Sequence, residues 1–143
     1  MVVAALHELY YAQRLPAIDF QLLTAANTLD EVIERFGGGS EEREAQAQSL
    51  RWLVPMCRAA GIVRLVLNGS FATSAPMPND VDCVLLPGLD YVADSEAAFA
   101  LRAGLPYLSL QIAENLEDWQ VLTGIIFASD RNLVPKGMIE VRL

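Results

Sequence analysis

Two short runs dictate what this chain can fold into. Ile62-Val-Arg-Leu-Val-Leu67 is rich in β-branched residues and fenced by Gly61 and Gly69, and Val81-Asp-Cys-Val-Leu-Leu86 ends at Pro87-Gly88. Branching at Cβ suits a pleated surface, and glycine and proline interrupt one, so both runs read as strands. Strands need a sheet, and the apolar face of a sheet needs a cover. The preceding residues supply it. Thr28 with Glu31 three residues later opens a short helix through Phe36, with Leu29, Val32, Ile33 and Phe36 on one face, and Gly37-Gly38-Gly39 stops it. Ser40 followed by Glu41, Glu42 and Arg43 caps a second helix, expected to reach Ala60 and close at Gly61. Leu50, Leu53, Val54 and Cys57 should face the core, and Pro55 should bend it.

Beyond the two strands, Asp94-Ser95-Glu96 caps a helix through Ala103. Tyr107–Ile112 alternates as a half-buried third strand, Asn115 with Asp118 starts a helix through Leu122, and Gly137–Leu143 alternates as a fourth strand. Residues 1–23 suggest a helical arm, with Leu6, Leu9 and Tyr10 in a stripe that Pro16 ends or kinks. The expectation is an α/β (α+β) fold: one domain over residues 1–143, helical at its N-terminal part, with a mixed sheet of about four strands packed with helices. Trp52 and Trp119 fall in apolar stripes and are expected in the core.

Composition excludes several classes. A hydrophobic share of 53% and a charged share of 20% in 143 residues are enough for a real core and exclude a disordered chain. Ten Lys and Arg against eighteen Asp and Glu give a net charge of −8, which repels polyanions and argues against general DNA or RNA binding. A nucleotide carried on a metal ion remains open, because the ion brings the positive charge. No apolar run approaches the ~20 residues of a membrane span, and His7, Glu8, Tyr10 and Tyr11 break any signal-peptide pattern. Cys57 and Cys83 lie in apolar segments without metal-ligand spacing, which reads as two reduced, buried thiols of a cytoplasmic protein. With His7 the lone histidine, they cannot form a usual zinc site. A mean hydropathy of +0.30 points to apolar surface covered by a protein partner or by homo-oligomerisation.

The chemistry lies between the two strands. Gly69 lets the backbone approach a ligand, and Ser70 adds a hydroxyl donor. Asp80 and Asp82, two residues apart at the start of the second strand, should share a face, and paired carboxylates suit Mg²⁺ or Mn²⁺. Two like charges ~5 Å apart repel by about 3 kcal/mol at an effective dielectric near 20, which a divalent cation would remove. The alternative is a solvated turn at Pro78-Asn79-Asp80 with Asp82 as its cap.

Gly69-Ser70, nine residues and Asp80-Val-Asp82 resemble the signature of the DNA polymerase beta-type nucleotidyltransferase superfamily. Asn68-Gly-Ser-Phe-Ala-Thr with Pro78-Asn-Asp-Val-Asp82 is closer still to a group of small bacterial nucleotidyltransferase-like proteins, as are Arg35-Phe36-Gly37, Asp130-Arg131 and Lys136-Gly137. The resemblance spans residues 22–143 and implies transfer of a nucleoside monophosphate from an NTP to an acceptor, with loss of pyrophosphate. Gly69 and Ser70 would hold the β- and γ-phosphates, and Asp80 and Asp82 would bind the metal ions. Active members of the superfamily also carry a third carboxylate on a neighbouring strand. The third strand offers only Ser109 and Gln111, so Glu140 on the last strand is the expected substitute, with Glu114 in reserve. Arg64 should point sideways, leaving the Gly-Ser loop without a basic residue. The resemblance thus allows two functions: a Mg²⁺-dependent nucleotidyltransferase, or a catalytically degenerate module that binds a partner protein, as antitoxin-like members do.

Overall fold

Helix caps set the frame. In the computed structural model, which describes residues 27–68, 71, 80–123 and 138–143, Thr28 accepts the Glu31 N–H at 3.2 Å and donates its hydroxyl to the Glu31 carboxylate at 3.0 Å. This opens α1 (Leu29–Phe36). Ser40 accepts the Arg43 N–H at 3.2 Å and opens α2 (Glu41–Ala60), which Gly61 closes at φ +87°. Only glycine takes that left-handed backbone cheaply. Pro55 lies on the exposed side of α2, and Leu50, Leu53, Val54 and Cys57 are buried on the other. The arm expected over residues 1–23 lies outside the described residues.

Strands β1 (Ile62–Asn68) and β2 (Val81–Pro87) pair antiparallel. Helix α3 (Glu96–Ala103), capped by Ser95, then carries the chain to β3 (Leu108–Ile112), parallel to β2. Parallel neighbours require such a crossover. Helix α4 (Leu116–Val121) follows, with Asn115 accepting the Asp118 N–H at 2.8 Å. The last strand, β4 (Ile139–Val141), lies antiparallel to β1 and is shorter than its alternating sequence suggests. It completes a four-stranded mixed sheet in the order β3-β2-β1-β4. Asn27 bridges to Val141 beyond β4, its N–H donating to the Glu140 carbonyl at 2.9 Å.

Most of β1 and β2 is buried on both faces, which is why these two strands read as nearly continuous apolar runs. On one side Leu65, Leu67, Val81, Cys83 and Leu85 pack with Val32, Phe36, Leu50, Leu53 and Cys57 of α1 and α2. On the other, Val66, Val84 and Leu86 meet Trp119, Leu122 and Met138. Trp119 is fully buried and Trp52 half-buried against the first cluster. Cys57 and Cys83 are both buried free thiols. Among the described residues no helix is long and apolar enough to cross a membrane.

Candidate functional site

Alternation along β2 sorts its first residues. Val81 is fully buried among the helices, so Asp82 falls on the opposite face, the one covered by Trp119. There it is half-buried, opposite Asn68 on β1 and Ser109 on β3. Asn68 is itself fully buried. Asp80 stands just before the strand and is exposed.

The mouth of β2 is held from two directions. The Val81 N–H donates to the Tyr107 carbonyl at 2.7 Å, and the Ser49 hydroxyl of α2 donates to the Pro106 carbonyl at 2.9 Å. Tyr107 adopts φ +71°, a left-handed backbone that costs a bulky residue free energy. Neither feature had a signal in the sequence, since Pro106-Tyr107 reads as an ordinary strand approach.

Gly69 and Ser70 lie outside the described residues, as do Asp130, Arg131 and Lys136. The next described residue after Asn68 is Phe71, and it is anchored. Its carbonyl and that of Phe36 both accept from Nη1 of Arg43, each at 2.9 Å, and the guanidinium sits 5.6 Å from the centre of the Phe71 ring. Arg43 is 6% exposed, and burial lowers its pKa. Sequence reading placed Arg43 only at a helix start. A basic side chain behind an acidic first turn is ordinary, so nothing marked it as buried.

Glu140 shares the face of Asp82 but not its neighbourhood. It is opposite Val66, whereas Asp82 is opposite Asn68. Two residues along the strands and two strands across separate their Cα atoms by roughly 12 Å. The Glu140 carboxylate is engaged elsewhere: it accepts from Arg64 Nη2 at 2.6 Å and Nε at 2.8 Å. The Arg64 guanidinium in turn lies 5.2 Å from the centre of the Trp119 ring. The hydrogen bonds to Glu140 raise the Arg64 pKa, partly opposed by burial. Arg64, expected to point sideways, therefore turns onto the sheet face and clamps Glu140. Glu114 is farther still. It lies five residues past Ser109, roughly 16 Å along the sheet. Ser109 and Gln111 are both exposed on β3.

The donor set suits a divalent cation in kind. Asp80 and Asp82 offer hard carboxylate oxygens, and the strand neighbours Asn68 and Ser109 are neutral. It is short by one carboxylate, since among the described residues no three or more His, Cys, Asp or Glu side chains gather.

Fold and site together define an α+β domain with a pair of aspartates at the mouth of the second strand of a mixed sheet. The chain belongs to DUF6932, a family of unknown function, which matches residues 19–142. No curated protein and no solved structure matches it.

Proposed function

We propose that this chain is a nucleotidyltransferase-like domain that binds a nucleoside triphosphate as its Mg²⁺ or Mn²⁺ complex, and that it works as a binding module without completing nucleotidyl transfer. Asp80 and Asp82 hold the ion, and Gly69 and Ser70 hold the β- and γ-phosphates. The bound ion neutralises phosphate charge next to two carboxylates, which a chain of net charge −8 otherwise repels. Asn68 and Ser109, both neutral, are the strand neighbours of Asp82.

The observation behind the non-catalytic reading is the engagement of Glu140. A base that activates an acceptor hydroxyl must lie within hydrogen-bond reach of it. Glu140 spends both oxygens on Arg64 and sits about two strands from Asp82, while the residue beside Asp82 on β3 is Ser109. A protein partner or a second copy is then the recipient of the nucleotide signal, in line with a mean hydropathy of +0.30. A cytoplasmic location accords with two free, buried thiols that need no oxidising compartment.

The test pairs binding with transfer. Calorimetry with each NTP and Mg²⁺ or Mn²⁺ should show binding that Asp82→Asn abolishes. Labelled NTPs with a cell extract should leave no label on protein, RNA or small molecules. Label transfer that depends on Asp80 and Asp82 would restore the enzyme reading. Absence of binding with all four NTPs and both metals would end the nucleotide reading.

A further inference from the structure

We infer that the free edge of β3 docks a second copy of this chain, strand against strand across a two-fold axis. The inference rests on β3 and its flanks, not on the nucleotide-binding reading. Among the described residues β3 is an edge strand of the sheet. The Ala113 N–H donates to the Leu85 carbonyl at 2.8 Å, and the Tyr107 carbonyl accepts from the Val81 N–H at 2.7 Å. Alternate residues of a strand turn their backbone groups to opposite edges. Those of Ser109 and Gln111 therefore also serve β2, and those of Leu108, Leu110 and Ile112 point away from it. The side chains of these same three residues are half-buried on the α2 side of the sheet, where they line a groove of about 490 Å³ with Leu101, Arg102 and Leu105. Edge strands are ordinarily guarded by lysine, proline or a bulge, and Leu108-Ser-Leu-Gln-Ile112 has none of these.

Charge identifies the occupant. A chain of net charge −8 repels its own copies except where charge is absent or matched. Residues 105–113 carry no charge. Arg102 stands beside the start of β3, held by its Nη2 bond to the Ala93 carbonyl at 2.6 Å, and Glu114 follows the end of the strand; both are exposed. A two-fold axis at Leu110 sets the two strands antiparallel, so the Arg102 end of each copy meets the Glu114 end of the other. In that register Leu110 exchanges its N–H and carbonyl bonds with Leu110 of the second copy. Leu108 faces the other Ile112 on one side of the sheet, and Ser109 faces the other Gln111 on the opposite side. Apolar meets apolar, hydroxyl meets amide and base meets acid, the self-complementarity that a two-fold interface demands.

Sedimentation equilibrium of the full chain decides this, with hydrogen exchange as a second reading. Wild type should be a dimer of 15.6 kDa protomers, with the Leu110 and Ile112 amides protected. Arg102→Glu and Glu114→Arg each set like charges together at both ends of the interface. Each variant alone should raise the dimer Kd at least tenfold and speed exchange of those two amides to a similar degree. Mixed in equal amounts, the two variants should regain wild-type affinity as a heterodimer, since one then brings two acidic ends and the other two basic ends. That recovery also excludes misfolding as the cause of either loss. A wild type that stays monomeric at about 100 μM overturns the inference; protected Leu110 and Ile112 amides in such a monomer would assign the edge to another segment of the same chain. A dimer indifferent to both substitutions, or a mixture that recovers nothing, overturns it as well. No nucleotide enters the assay, so its result is separate from that of the nucleotide-binding test.

Discussion

Glu140→Gln separates the two roles open to this carboxylate. As a general base it would matter for transfer and little for stability. As the partner of Arg64 it matters for stability alone. The substitution keeps one acceptor oxygen and sets an amide NH₂ against the guanidinium, so one of two charge-assisted hydrogen bonds is lost and the other becomes neutral-acceptor in kind. Such bonds contribute about 1.5–3 kcal/mol each when protected from water. Side-chain exposures of 28% for Arg64 and 22% for Glu140 pull the figure to the lower part of that range. A loss of about 2 kcal/mol follows. Unfolding entropy near 2.1 cal/mol/K per residue gives about 300 cal/mol/K for 143 residues, so Tm should fall by about 7 °C. Arg64→Met should cost a similar amount, and the double variant should recover about 1–2 kcal/mol of the sum. The hydrogen bond from Arg64 to Glu140 raises the Arg64 pKa above its ordinary value. Its contribution is thus fully present below the guanidinium range, and the loss should not vary between pH 6 and 9. Calorimetric melting of the four proteins is the assay. A Tm within 1 °C of wild type for Glu140→Gln, or additive single variants, would refute this account.

Three further outcomes follow from the same structure. Manganese at a hundredfold excess over its Kd should stabilise the folded state by about 2.7 kcal/mol and raise Tm by about 9 °C, an increase that Asp80→Asn removes. In metal-free buffer the same variant should be neutral or stabilising by differential scanning fluorimetry; a destabilised variant with no metal effect on wild type would favour the turn-and-cap reading. Burial pushes the Cys57 thiol up to about 12 and drives Cys83 upward too. Raised thiol pKa values keep the proton in the folded state, so stability is full below the unfolded thiol range and declines as pH climbs through 9 toward 12. The slope is up to about 1.4 kcal/mol per pH unit per thiol, and equal urea midpoints at pH 8 and 10 would exclude it. Gly61→Ala should cost at least about 2 kcal/mol, because the left-handed backbone is penalised and the new Cβ falls 2.7 Å from the Tyr91 nitrogen. Gly38→Ala, with nothing within 4 Å, is the control, and equal urea midpoints for the two would show the Gly61 contact to be soft.

Local rules carried the elements. Thr28, Ser40, Ser95 and Asn115 all accept an N–H from three residues on, each at a helix start legible from one polar side chain. Glycine at 61 ended α2 for a reason that one residue contains. The alternation of β2 likewise put Val81 and Asp82 on opposite faces. What could not be read was any pairing between segments. Arg64 and Glu140 are 76 residues apart, and their bond depends on β4 lying beside β1, which no local pattern encodes. Arg43 and Phe71 are 28 residues apart, and no local pattern announces the bond between them. Strand Leu108–Ile112 alternates as foreseen, yet nothing in it announces that Ser109 rather than Gln111 would stand next to Asp82.

The two ends of the sheet face that carries Asp82 are built differently, and that difference bears on function. At the end marked by Arg64, two hydrogen bonds and the Trp119 ring fix both charges of an ion pair, and an ion pair so engaged has little charge left to offer a ligand. At the end marked by Asn68, Asp82 lies between neutral side chains, with Asp80 open to water. Removing Arg64 would not deliver Glu140 to Asp82, because strand spacing alone leaves roughly 12 Å between them. A carboxylate placed at Ser109, by contrast, would stand on the adjacent strand directly beside Asp82. Ser109→Asp is therefore the economical route to a third carboxylate. It should tighten manganese binding at least tenfold relative to wild type by calorimetry, and unchanged affinity would mean that the pair at the mouth of β2 does not aim its oxygens toward β3.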